Sequence, residues 1–228
     1  MTTEMDSAHR ESFDPDCIDD AVAAEWLSQL PWQRMVVVGD SVAEGVREPL
    51  DGYRNLGFAD RIGEALAATR PGFAYRNLGV RGQRLAEIRS TQAAAALEFH
   101  PDVTMVVAGG NDVLVEAPDL ERVRTELTEL VTSFTARGIA VVTIGLFDLA
   151  RSGLVPATYA EALAERMDQL DAITAEVATE AGAWHVDTHH HPRAADPAIY
   201  SSDRMHCNAR GHAIAFAAIA SSLAHLDV

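Results

Sequence analysis

The sequence is poor in several things, and each shortage narrows the possibilities. Only two of 228 residues are cysteine, Cys17 and Cys207. One bridge is arithmetically possible, but two thiols make no disulfide framework. Basic residues are scarce, with 18 Lys and Arg against 34 Asp and Glu, a formal net charge of −16. That balance argues against DNA, RNA or an anionic membrane as partner, because each requires clustered Lys and Arg. The acidity reads as a solubility feature, or as complementarity to a cationic partner. No run approaches the ~20 apolar residues of a membrane span. The opening residues, MTTEMDSAHRESFDPDC, carry neither a basic start nor an apolar stretch. They read as polar, mobile chain to about residue 16, without a secretory signal, and the expected compartment is the cytoplasm.

What is present fits an ordinary soluble globular protein. Apolar residues make up 48% and charged residues 23%, enough for one sizeable core. Five short apolar runs read as strands: Met35 to Val38, Phe73 to Leu78, Val103 to Ala108, Ile139 to Ile144 and Trp184 to Val186. Between and after them lie helical stretches: Phe58 to Thr69, Arg84 to Phe99, Leu120 to Arg137, Thr158 to Ala181 and Ala209 to Leu226. Thr158 and Glu161 have capping-box spacing, and Gly138 stands where a C-terminal cap belongs. Strands apolar on both faces that alternate with helices imply a parallel sheet covered on both sides. The expected fold is therefore α/β, a flavodoxin-like three-layer α/β/α sandwich with a five-stranded parallel sheet. Residues 1–30 read as an acidic extension with one added helix (Asp19 to Leu30), and 31–228 as one α/β domain.

In such sheets ligands bind off the carboxyl ends of the strands. The first strand runs into Gly39-Asp40-Ser41, which puts a serine hydroxyl on a strand-to-helix turn. A nucleophile there has backbone N–H groups beside it for a developing oxyanion; a plain turn with an N-cap would look the same. The second strand ends in Asn77-Leu78-Gly79-Val80-Arg81-Gly82, a tight turn or a close backbone approach to a ligand. The third ends in Gly109-Gly110-Asn111-Asp112, where the Asn111 carboxamide can donate into the site. Before the last helix comes Asp203-Arg204-Met205-His206. A carboxylate three residues before an imidazole can orient it as a general base, or form a surface pair, or ligate a metal. All four segments fall at strand ends with complementary roles.

Together these blocks resemble the SGNH hydrolases, also called GDSL esterases and lipases. GDSVAEG matches the first block of that family, with Val42 at the usual leucine; NLGVRG, GGND and DRMH match the second, third and fifth. The resemblance covers residues 34 to about 226. It implies Ser41 as nucleophile, with Asp203 and His206 completing the triad. It implies an oxyanion hole of the Ser41 and Gly82 N–H groups and the Asn111 side chain, Gly79 being the less favoured register. It also implies an acyl-serine route for small or mid-sized carboxylic esters, without metal or organic cofactor. Acyl transfer and thioester cleavage use the same triad. A non-catalytic binding module would not need the full set. Cys207 reads as a small filler beside the site, or as a reactive thiol. The run His189-His190-His191, with His185 and Asp187 before it, reads as an exposed loop and not a metal site, because three consecutive side chains rarely converge on one ion. The loop Phe147 to Leu154 mixes charge with apolar groups and is expected to wall a pocket for a polar substrate.

Overall fold

A computed structural model describes residues 10–226. Five strands form one sheet: β1 (Arg34–Gly39), β2 (Ala74–Asn77), β3 (Val103–Val107), β4 (Ala140–Ile144) and β5 (Trp184–Val186), in the order β2-β1-β3-β4-β5. Every pairing is parallel. The α/β class, the strand count and the parallel sense match what the apolar runs imply. Contacts divide the chain into two compact units. One comprises residues 32–44 and 74–197, the other residues 10–31, 45–73 and 198–226.

The first unit holds the whole sheet. Valine-rich strands form here because β-branched side chains suit a pleat buried on both faces. Val36 and Val38 point to one face, Met35 and Val37 to the other, and all four are buried. On the Val36 face lies a core with Leu85, Ile88, Val106, Leu127, Phe134 and Val141. Leu127 and Phe134 come from the helix Leu120–Thr135, and Leu163, Leu170 and Val177 from the helix Ala157–Glu180.

Two local expectations fail in this unit. The stretch 84–99 is not one helix but two, Leu85–Thr91 and Ala93–Glu98, meeting at Gln92. The helix Ala157–Glu180 has no Thr158 capping box, because Pro156 occupies the N-cap and Thr158 is already inside the helix. Half of such a box stands at Arg84, whose N–H donates to Glu87 Oε2 at 2.9 Å while its own side chain, a donor only, caps nothing. Gly138 does close the helix Leu120–Thr135, at φ +74°.

The other unit packs three helices together, Asp20–Leu27, Phe58–Thr69 and Ala209–Leu223. Residues 10–16 are not loose chain. Arg61, 1% exposed, forms an ion pair with Glu11 and donates to the Arg54 carbonyl at 2.9 Å. Asp14 accepts from Arg210 Nε and from the Tyr53 hydroxyl, each at 2.7 Å. A guanidinium without a partner at such depth costs several kcal/mol, on the order of 3–5, so these acidic residues are held in place. The mobile-start expectation is thus corrected for residues 10–16; residues 1–9 lie outside the described residues. No helix among the described residues is long and apolar enough to cross a membrane.

Candidate active site

β1 must end in glycine. A Cβ on Gly39 would stand 1.9 Å from the Val107 carbonyl oxygen of β3 and 2.7 Å from Ala43 Cβ. The chain then turns into the short helix Ser41–Glu44. Asp40, 2% exposed, shapes that turn: its Oδ1 accepts the Val42 N–H at 2.9 Å and its carbonyl accepts the Glu44 N–H at 2.9 Å. Asn77 at the end of β2 holds the far end of the helix, Nδ2 donating to the Ala43 carbonyl at 2.7 Å. Ser41 is therefore fixed by both neighbouring structures.

The two glycines of the second block separate cleanly. A Cβ on Gly79 would meet Glu44 N at 2.4 Å, and the Gly79 N–H is already committed to Asn77 Oδ1 at 2.9 Å. Gly79 is a packing glycine. Gly82 sits at φ +80° with open space where a Cβ would be. Its N–H makes no hydrogen bond among the described residues. The residue after it, Gln83, accepts from Asn111 Nδ2 at 2.9 Å through its carbonyl. This bond fixes the Asn111 carboxamide beside the Gly82 turn and leaves its second N–H for another acceptor. Asp112 turns away from that position, its Oδ2 accepting the Leu85 N–H at 3.0 Å, and burial raises its carboxyl above the usual range.

Asp203 and His206 belong to the other unit. His206 Nδ1 lies 2.8 Å from Asp203 Oδ2. Asp203 Oδ1 also accepts the N–H groups of Met205 and His206, at 2.9 and 3.0 Å. Burial pushes the Asp203 carboxyl up, but the His206 bond and the two N–H groups outweigh it and hold the pKa below the ordinary value. The carboxylate thus stays ionised, as an orienting group for the imidazole requires. Arg204 takes a left-handed φ of +58° in this loop, a strained conformation for a residue with a side chain. The loop is pinned by Ser201 N–H on the His206 carbonyl at 2.7 Å and by Ser201 Oγ on the Cys207 carbonyl at 2.9 Å. Burial pushes the Cys207 thiol up to about 12, which disfavours the thiolate that a reactive cysteine needs.

His212 is a core residue. Phe58 N–H donates to its Nδ1 at 3.2 Å, so its proton sits on Nε2, 3.2 Å from the Val46 carbonyl. Arg151, in the segment after β4, is bound by Asp148 of the same segment at 2.7 Å and by Asp168 of the helix Ala157–Glu180 at 2.6 Å, so its charge is met by both. The histidine run is not a uniform exposed loop either. His189 is buried, its Nδ1 2.9 Å from the Leu146 carbonyl and its Nε2 2.9 Å from Asp168 Oδ1.

Sequence reasoning missed Gln92 and Gln83. Gln92, 3% exposed, holds Gly39 and donates to Gln83 Oε1 at 2.7 Å. A glutamine inside a helical pattern carries no signal of such a role.

The family model for the GDSL-like lipase/acylhydrolase family matches residues 37–214. The chain belongs to that family. It is accordingly a carboxylic ester hydrolase of the serine type. Among solved structures it is similar to Axe2, an acetylxylan esterase from Geobacillus stearothermophilus, at 19% identity and TM-score 0.66, over 84% of this chain and 94% of that one. It is also similar to LAE5, an α/β hydrolase enzyme from the metagenome of Lake Arreo, Spain, at 22% identity and TM-score 0.65, over 86% and 97%. At these identities the likeness concerns the fold. No curated protein matches the sequence.

Proposed function

We propose that the chain hydrolyses carboxylic esters of small or mid-sized polar alcohols through an acyl-serine intermediate on Ser41. His206 takes the Ser41 hydroxyl proton as Oγ attacks the carbonyl carbon. Asp203 holds the imidazole and offsets its positive charge. The Ser41 N–H, the Gly82 N–H and the Asn111 carboxamide receive the oxyanion. Collapse expels the alcohol, which takes the proton back from His206. Water, deprotonated by the same imidazole, then releases the acid and restores Ser41. These steps use only protein groups.

The observation that carries the reading is the oxyanion pair. An N–H with no hydrogen bond among the described residues, at Gly82, lies next in sequence to the carbonyl that fixes the Asn111 carboxamide. Unspent donors of this kind are what acyl transfer needs and what a binding fold has no reason to keep. A cleft of about 530 Å³ opens at Gly82 and is walled by Arg84, Glu87, Asp119 and Arg122 among others. Ser41 and Asn111 do not line this cleft, so the polar alcohol portion, such as a sugar, rests on the likeness to Axe2, whose name gives an acetylxylan ester.

The test is covalent. A fluorophosphonate should label the wild type once, and Ser41→Ala should abolish both labelling and hydrolysis with an unchanged circular dichroism spectrum. Labelling of Ser41→Ala at the wild-type rate would remove Ser41 from the mechanism. Acetylated sugars and acyl esters of increasing length, assayed side by side, test the substrate class; a preference for long-chain esters would overturn it.

A further inference from the structure

His189, in the turn after β5, has a side chain 1% exposed, and each of its ring nitrogens meets an oxygen. Nδ1 lies 2.9 Å from the Leu146 carbonyl and Nε2 2.9 Å from Asp168 Oδ1. A carbonyl only accepts. Asp168 cannot donate either, because Arg151 grips both its oxygens, Nη1 on Oδ1 at 2.8 Å and Nη2 on Oδ2 at 2.6 Å, and holds the carboxyl well below the usual range. Both ring nitrogens must therefore carry a proton, and the ring is an imidazolium. Burial works against that charge, but the bonds to Asp168 and Leu146 and the nearby charges of Asp171 and Asp148 outweigh it and raise the pKa above the ordinary histidine value.

A buried cation is tolerated where it is paired and hydrogen-bonded. Asp148 also pairs with Arg151, at 2.7 Å, so two cations and two carboxylates close on one another. The members come from the segment after β4 (Leu146, Asp148, Arg151), the helix Ala157–Glu180 (Asp168) and the turn after β5 (His189). Asp171 of the same helix and the His190 ring, edge-on at 4.9 Å, are the other titratable groups that face His189. A second strap runs alongside, Thr188 Oγ1 donating to the Gly145 carbonyl. The segment so held touches the candidate site: a Cβ on Gly110 would stand 3.1 Å from Leu146 Cδ1. Gly110 opens the helix Gly110–Val113, and Asn111 is its next residue. Leu146 braces that helix while the Gln83 carbonyl holds the Asn111 carboxamide.

We infer that His189 is a buried imidazolium and a positioning residue for ester hydrolysis, clasping the segment after β4 so that Leu146 keeps the helix bearing Asn111 in place. Loss of either ring proton turns a lone pair toward a carbonyl or a carboxylate oxygen, a repulsive contact that opens the clasp. The clasp stabilises fully below the unfolded histidine value of 6.5 and is lost as pH rises through the higher folded one. Its effect on turnover rests on the oxyanion role proposed for Asn111; its charge does not.

Two-bond proton–nitrogen NMR of the full chain reads the ring directly. Both His189 nitrogens are expected to carry a proton at pH 7, where an ordinary histidine has shed most of its charge. His189→Gln, which removes the charge, should lower kcat on the order of 10- to 100-fold with KM little changed, the cost of misplacing a catalytic group by about an ångström. In an Asn111→Ala background the same change should add little, since both act through one group. Urea midpoints should fall as pH is raised above 7 in the wild type and stay flatter in His189→Gln. A bare ring nitrogen in the spectrum overturns the imidazolium. An undiminished kcat in His189→Gln, or an equal loss with and without Asn111, overturns the positioning role. Asn111→Ala at full kcat would overturn the oxyanion assignment and the positioning role with it, while the spectrum still decides the charge.

Discussion

Gln92 grips both backbone polar groups of Gly39, two residues before Ser41. The Gly39 N–H donates to Gln92 Oε1 at 2.9 Å, and Gln92 Nε2 donates to the Gly39 carbonyl at 2.8 Å. The break between the helices Leu85–Thr91 and Ala93–Glu98 coincides with this residue. The same Nε2 reaches Gln83, whose carbonyl holds Asn111. A single buried amide thus ties the turn that carries Ser41 to the turn that carries Gly82 and the carbonyl bonded to Asn111.

Replacing Gln92 tests that tie. The Gly39 carbonyl also accepts the Val80 N–H at 3.1 Å and keeps a partner, but the Gly39 N–H has no other acceptor among the bonds described. Gln92→Ala should cost about 1–3 kcal/mol in urea unfolding, the penalty of one orphaned buried donor. Gln92→Glu keeps the shape but brings a carboxylate against the Gly39 and Gln83 oxygens, so it should be no better than alanine. A stable, fully active Gln92→Glu variant would show that the amide does not matter.

The Asn111 carboxamide should act on the transition state. Asn111→Ala is expected to lower kcat about 100- to 1000-fold with little change in KM, because the bond strengthens as charge reaches the carbonyl oxygen. Steady-state kinetics on a short-chain ester decide it. A rise in KM with kcat intact would make Asn111 a substrate clamp.

Stability should fall in mild acid because of His212. Burial above all lowers its pKa to about 4, from an ordinary histidine value of 6.5. Between these values the unfolded chain takes up a proton that the folded chain refuses. Stability is therefore full above the unfolded pKa and lost as pH falls toward the folded one, by up to ~1.4 kcal/mol per pH unit. Urea midpoints measured from pH 7 to pH 4.5 should fall less steeply in His212→Gln than in the wild type. Parallel slopes would contradict the assignment.

Ester turnover should not depend on a metal. The proposed triad and oxyanion donors are side chains and backbone groups, so dialysis against a chelator is expected to leave kcat unchanged, and His190→Ala likewise. Activity lost on chelation and restored by zinc would place an ion in the reaction.

The sheet and the motifs at its edge were legible in the sequence alone. Valine-rich runs such as residues 103–107 are strands because they are apolar on both faces, a local property. The Asp203–His206 spacing of three is likewise short-range, so the 2.8 Å imidazole bond follows from neighbours in the chain, whereas glycine at 39 answers to the Val107 carbonyl of β3. Tertiary structure decided everything that depends on what approaches from elsewhere. Gly79 and Gly82 look alike in sequence, and only the helix Ser41–Glu44 packed at 2.4 Å from the one, with space around the other, tells them apart. Gln92 gains its role from a strand 53 residues away. Residues 10–16 are held by Arg61 and Arg210, which periodicity cannot pair with them. His185, His189 and His190 sit within six residues of one another, yet they part company because Asp171, Asp168 and the Leu146 carbonyl reach them from a distant helix and loop. Burial and long-range partners set what a polar side chain does, and neither is written in its local neighbourhood.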